Sequence, residues 1–126
     1  MPKHVPDLDS SPKPLAPYSV VTEANGFVFV SGQVAIDPEG GGTPTDVADQ
    51  TRLVLENLRT LLEDLGLSLT DVAKTTVFLA DIADYPTVND VYGTFFDVDP
   101  PARSAIQAAA LPKPEFLVEI EAIVAR

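Results

Sequence analysis

The sequence predicts an α+β fold, a mixed sheet with two helices on one face. Three observations carry this reading. An Asn-Gly dipeptide at 25–26 separates two apolar runs, two segments over 47–65 and 88–96 repeat apolar residues at helical spacing, and β-rich runs occupy 72–80, 103–110 and 116–125.

Residues 18–24 (YSVVTEA) and 27–33 (FVFVSGQ) read as the first two strands. Asn-Gly between them suits a type I′ turn, which needs positive φ at both central residues. A two-residue loop sets the register, so Ala24 faces Phe27, Thr22 faces Phe29, Val20 faces Ser31 and Tyr18 faces Gln33. Tyr18 and Ser31 then become diagonal neighbours about 7–8 Å apart, unless a bulge at Gly32 intervenes. Residues 34–43 carry Gly40-Gly41-Gly42. No Lys-Ser/Thr follows and no helix opens at once, so the segment reads as a flexible turn rather than a phosphate cradle.

Thr43 or Asp46 caps the first helix, with Pro44 a candidate for its first position. Val47, Val54, Leu55, Leu58, Leu61, Leu62 and Leu65 form its core stripe and Gly66 stops it. After the strand at 72–80, Asp84 precedes Tyr85-Pro86, and Val88, Val91, Tyr92, Phe95 and Phe96 make a second stripe, ended by Pro100-Pro101. The order is β-β-α-β-α-β-β, with five or six strands.

The sheet face away from the helices should be polar. Yet FVFVS is apolar on both faces, and in FLVEIEAIVA the residues Leu117, Glu119, Glu121 and Ile123 alternate with Phe116, Val118, Ile120 and Val124. Apolar residues mixed with two carboxylates point to a second buried surface, a subunit interface. A wider single-chain core is the alternative.

Composition narrows the chemistry. A chain of 126 residues suits a single domain over 1–126, with 1–14 a loosely ordered Pro-rich segment. An apolar content of 45% excludes a disordered acidic tail. No apolar run is long enough to span a membrane and no secretory h-region is visible, so a cytoplasmic protein without a membrane partner is expected. There is no Cys, and the single histidine, His4, lies in the Pro-rich start. Thiol or His-triad catalysis is thereby removed, and no metal and no cofactor are expected. The net charge is −11, from 19 acidic and 8 basic residues. The basic residues are spread singly and give no footprint for a phosphate backbone, so nucleic acid is not an expected partner.

Arg103, Glu119, Tyr18, Ser31 and Asn89 remain as candidates. Arg103 follows Pro-Pro-Ala at a strand start, where its fork matches a carboxylate bidentately. The competing reading pairs it with a local acid. Glu119 shares a partly apolar face with Glu121, which raises a carboxylate pKa and suits it to hold or deprotonate a water. The competing reading is a solvated sheet edge. Asn89, near a helix start, commonly bonds backbone.

KPLAPYS, FVFVSGQ, the segment from DQTRLVLENL to VFLAD, TVNDVYGTFF, PARSA and LPKPEFLVEIEAI together resemble the RidA (YjgF) family, from about Pro12 to Ala125. SGQ, VN-x-x-Y-x-x-FF, PARS and EIEA, in this order and spacing, carry the resemblance. It implies a chorismate-mutase-like fold assembled as a homotrimer with clefts between subunits. It also implies hydrolysis of reactive enamines and imines, such as 2-aminoacrylate/2-iminopropanoate and 2-iminobutanoate, to 2-keto acids and ammonia. By the same resemblance Arg103 binds the substrate carboxylate and Glu119 positions water. Tyr18, Ser31, Gly32 and Asn89 line the cleft, and Ala105 offers its backbone N–H. The chain departs from the family pattern at Ala16-Pro17, where Gly often precedes PYS, at Ala105, where many members have Cys, and in the lengths of the 89–103 and LPKPEF loops. A non-catalytic, carboxylate-binding or regulatory trimer is the alternative function.

Overall fold

The computed structural model describes residues 2–11 and 13–126; Met1 and Pro12, both within the Pro-rich start, lie outside the described residues. The elements are β1 (Val21–Ala24), β2 (Phe27–Gln33), α1 (Val47–Asp64), β3 (Val72–Leu79), α2 (Tyr85–Phe95), β4 (Ala102–Gln107) and β5 (Val118–Ala125). Two 3₁₀ turns, Leu69–Asp71 and Ile82–Asp84, precede β3 and α2. The strands form one sheet in the order β1-β2-β5-β3-β4.

The β1–β2 hairpin has the expected register, Ala24 opposite Phe27 and Thr22 opposite Phe29. Its turn has Asn25 at φ 52° and Gly26 at φ 80°, so both central residues are left-handed as a type I′ turn requires. β1 is shorter than the expected 18–24. Ser31 N–H still donates to Val20 O at 2.9 Å, whereas Tyr18 N–H turns back to Ala16 O at 2.8 Å. Tyr18 therefore lies outside the strand and is not paired with Gln33. Upstream, His4 and Glu23 exchange backbone hydrogen bonds of 2.8 Å, laying the N-terminal segment along β1.

β5 is antiparallel to both neighbours, β2 and β3, whereas β3 and β4 are parallel. β2, β3 and β4 therefore point the same way. The chain moves across the sheet in one direction through two crossovers, β2-α1-β3 and β3-α2-β4. Crossovers of one hand moving one way must place both helices on the same face. Beneath them, Val28, Val30, Val77, Leu79, Val118, Ile120 and Val124 join Val54, Leu55, Leu58 and Leu62 of α1 and Val88 and Tyr92 of α2 in one core.

Asp46 caps α1, its side chain accepting from Asp49 N–H, so Pro44 stands two residues before the cap rather than at the first helical position. Gly66, at φ 74°, ends the helix. Its N–H bonds to Glu63 O, and Leu67 N–H to Leu62 O, the Schellman pattern. α2 stops at Phe95, before Pro100-Pro101, because Phe96 leaves helical geometry at φ −130°. β4 stops at Gln107, short of the expected 110, and β5 starts at Val118, two residues after the expected 116.

Gln50 ties the layers together. It is fully buried. Its amide nitrogen donates to Pro44 O and Glu115 O at 2.8 Å, and its Oε1 accepts from Leu117 N–H at 2.8 Å. The loop leading into β5 is thereby pinned to the first turn of α1.

Candidate active site

The candidate residues fall into two groups at opposite sides of the sheet. Arg103, the second residue of edge strand β4, stands beside Thr75, which is buried under α2. Its guanidinium carbon lies 4.8 Å from the Tyr92 ring centroid and 5.4 Å from that of Tyr85. Arg103 Nη2 donates to Tyr85 Oη at 2.9 Å. The Tyr92 hydroxyl is held in turn by Thr75 Oγ1 at 2.6 Å. Burial raises the Tyr92 pKa, against the opposing effects of the Thr75 hydrogen bond and the Arg103 charge.

Among the described residues, no carboxylate lies within ion-pair reach of Arg103; the ion pairs there are Arg52–Asp49 and Arg126–Glu23. In a chain of net charge −11 this decides against the local-acid reading of Arg103.

Ala105, two residues along β4, lines a shallow cavity with Arg103, Ile82, Ala83, Tyr85 and Pro86. Ala108 N–H donates to Leu79 O at 2.8 Å. Peptide groups alternate along a strand, so the N–H groups of Arg103 and Ala105 point away from β3 to the free edge. Gln107 Oε1 accepts from Ile82 N–H at 2.8 Å and fixes the cavity wall to β4. Asn89 lies one turn from both Tyr85 and Tyr92 on the same stripe of α2. Its Oδ1 is buried without a hydrogen-bond partner, so the ordinary backbone-bonding role is not filled by that atom.

The second group gathers around β2. Val30 opposes Ala122 and Gln33 opposes Ile120, so Ser31 and Gly32 together face Glu121 alone, a β-bulge. Ser31, Gly32 and Tyr18 line a cavity of about 470 Å³. They meet there through the bulge and the loop before β1, not through hairpin pairing. A Cβ built on Gly32 would collide with the Glu119 carboxylate, so glycine is what lets that carboxylate lie against β2. Glu119 is half-buried beside Phe78 on β3. Burial first, and then the charge of Glu121, push its pKa above the ordinary carboxylate value.

This shift has a testable sign. The folded chain holds the Glu119 proton more tightly than the unfolded chain does, so its contribution to stability falls as pH rises from the unfolded pKa through the folded one. Glu119→Gln removes a carboxylate that is costly when charged. The variant is expected to melt at or above the wild-type temperature at neutral pH, with the advantage vanishing below about pH 4. Thermal melts across that range check it; a variant less stable than wild type at neutral pH would show that the carboxylate makes a stabilising contact.

The two groups do not meet within one chain. Thr75 aligns with Arg103 and Phe78 with Glu119, and residues three apart on a strand face opposite ways. Arg103 thus lies on the helix side of the sheet and Glu119 on the open side. β2 and β4 are separated by β5 and β3, about 14 Å at ordinary strand spacing.

The family model described as Endoribonuclease L-PSP matches residues 8–126. The chain belongs to this family, the RidA/YjgF family. A RutC family protein of Pyrococcus horikoshii is 46% identical over 122 residues, covering 96% of each chain. The 2-iminobutanoate/2-iminopropanoate deaminase of Escherichia coli is 39% identical over 121 residues, 94% of each chain. Escherichia coli TdcF with bound serine is similar in structure, with a TM-score of 0.89 at 40% identity and 98% of each chain covered. The α+β architecture read from the sequence is that of these RidA-family structures. Sequence reasoning missed the aromatic seat of Arg103. Tyr92 counts as an apolar stripe residue and Tyr85 as a helix start, although Tyr85, Asn89 and Tyr92 at i, i+4 and i+7 mark one polar-aromatic stripe.

Proposed function

We propose that this chain hydrolyses reactive 2-enamine and 2-imino acids, 2-aminoacrylate/2-iminopropanoate and 2-iminobutanoate, to 2-keto acids and ammonia in the cytoplasm. The observation that carries the reading is the Arg103 fork, without an ion-pair partner among the described residues and seated on tyrosines beside an open cavity. A small 2-imino acid offers one fixed handle, its carboxylate, and a planar fork matches it. The serine in the TdcF structure is itself a small carboxylate, and the relatives' deaminase names support the same class.

Arg103 binds the carboxylate and the edge N–H of Ala105 orients it. Asn89, Tyr18, Ser31 and Gly32 shape the cleft. Water beside Glu119 attacks the C=N carbon as Glu119 takes a proton, giving a tetrahedral carbinolamine. That proton passes from Glu119 to nitrogen; Glu119 then carries the hydroxyl proton to the same nitrogen, so the C–N bond breaks with ammonia leaving as the keto group forms. One water is consumed per ammonia released. The raised pKa of Glu119 makes it a better base than an ordinary carboxylate.

The separation of the two groups supports a homotrimer in which Arg103, Asn89 and Ala105 of one copy face Tyr18, Ser31, Gly32 and Glu119 of the next. Phe27, Phe29 and Ile106 are exposed on strands that would lie at such contacts. Light scattering is expected to give the mass of three copies; a monomer at micromolar concentration ends the shared-site reading. The activity is tested by letting an amino-acid dehydratase generate the imine and timing keto-acid release with and without this chain. Acceleration is expected. Saturable 2-keto acid binding without acceleration would favour the regulatory trimer.

The family description also names an endoribonuclease. With a net charge of −11, no salt-dependent sub-micromolar RNA affinity is expected at physiological ionic strength. A filter-binding titration showing one would overturn the charge argument.

A further inference from the structure

We infer that Tyr85 is a positioning residue for carboxylate binding: its hydroxyl holds the Arg103 fork in its binding orientation before a ligand arrives. The inference rests on the clamp reading of Arg103. Two tyrosines touch the guanidinium, and they do different things. Tyr92 supplies a ring at 4.8 Å and is locked from behind by Thr75, so it gives the guanidinium a fixed surface to rest on. Tyr85 supplies an acceptor, its Oη 2.9 Å from Nη2, so it ties down one corner of the fork. One N–H is spent on this bond and the rest of the planar fork stays open.

The turn just before Tyr85 is fixed to the same strand as Arg103, because Ile82 N–H bonds the Gln107 side chain. Tyr85 and Arg103 are therefore tied to each other both directly and through Gln107 at the wall of the shared cavity. The Tyr85 hydroxyl has no other hydrogen bond among the described residues, and the ring alone would serve a helix start. A long arginine left free would have to be ordered by each ligand it bound.

Tyr85→Phe keeps the ring and deletes the acceptor. The expected result is a KM for imine substrate, and a Kd for 2-oxobutanoate by calorimetry, raised about 3- to 10-fold, the cost of ordering one long side chain during binding. kcat and melting temperature should stay at wild-type values, which separates positioning from a structural role. In an Arg103→Ala background, Tyr85→Phe should weaken binding no further. Unchanged KM and Kd, or the same weakening without Arg103, would overturn the inference. If wild type binds 2-oxobutanoate without hydrolysing imines, the deaminase reading fails while the Kd ratio still decides the role of Tyr85. If wild type binds no 2-oxobutanoate, the clamp and the role of Tyr85 fall together.

Discussion

Arg103→Ala is expected to lose about 30- to 5,000-fold in kcat/KM for imine hydrolysis, because removing one partner of a desolvated charge pair costs roughly 2–5 kcal/mol. The same variant should melt near the wild-type temperature. Among the described residues no ion pair depends on Arg103, and Tyr92 keeps its Thr75 hydrogen bond without it. Loss of turnover with retained stability is the signature of a residue facing a ligand. Arg103→Lys should recover only part of the loss, since a point charge does not reproduce the planar fork. Keto-acid release and thermal melts on both variants decide the matter, and wild-type turnover in Arg103→Ala would end the site assignment.

Gln50→Leu is expected to cost about 2–5 kcal/mol of stability, because three partly buried backbone groups lose a partner worth roughly 1–3 kcal/mol to a fully buried group and less to one that water reaches. The leucine fills similar space but abandons Pro44 O, Glu115 O and Leu117 N–H. Set against a typical total of about 5–15 kcal/mol, the loss is severe and lowers the melting temperature on the order of 10 °C. The effect should reach the site as well, since Leu117 lies two residues before Glu119 on the same run of chain. Urea and thermal unfolding measure it; a near-wild-type midpoint would mean that water replaces the glutamine at all three groups.

The hairpin and both helices were legible because each is specified locally. Asn25-Gly26 takes the two positive φ values of a type I′ turn, which these residues favour, and the α1 stripe repeats with the period of the helix. The position of β5 was not legible. Alternation along FLVEIEAIVA separates two faces but does not name neighbours, and nothing in it says that the final strand enters between β2 and β3. The relation between Arg103 and Glu119 was hidden for the same reason, because their opposite facing follows from the registers of β4 and β5 on β3. The bulge at Ser31-Gly32 was visible only as a glycine in a strand, and the Gln50 network not at all, since its partners are backbone groups far along the chain. The motifs named the candidate residues without showing that they lie on two separated surfaces.

Placing β5 at the centre of the sheet has a consequence for how the protein is made. Among the described strands, β1 with β2 and β3 with β4 form two pieces that pair with β5 but not with each other. During translation both pieces leave the ribosome before the strand that joins them, each holding out an open edge at β2 or β3. A message cut short before Val118 therefore encodes two half-sheets with adhesive borders rather than a smaller working protein. Full-length synthesis is a race between release of the last strand and capture of those borders by other chains.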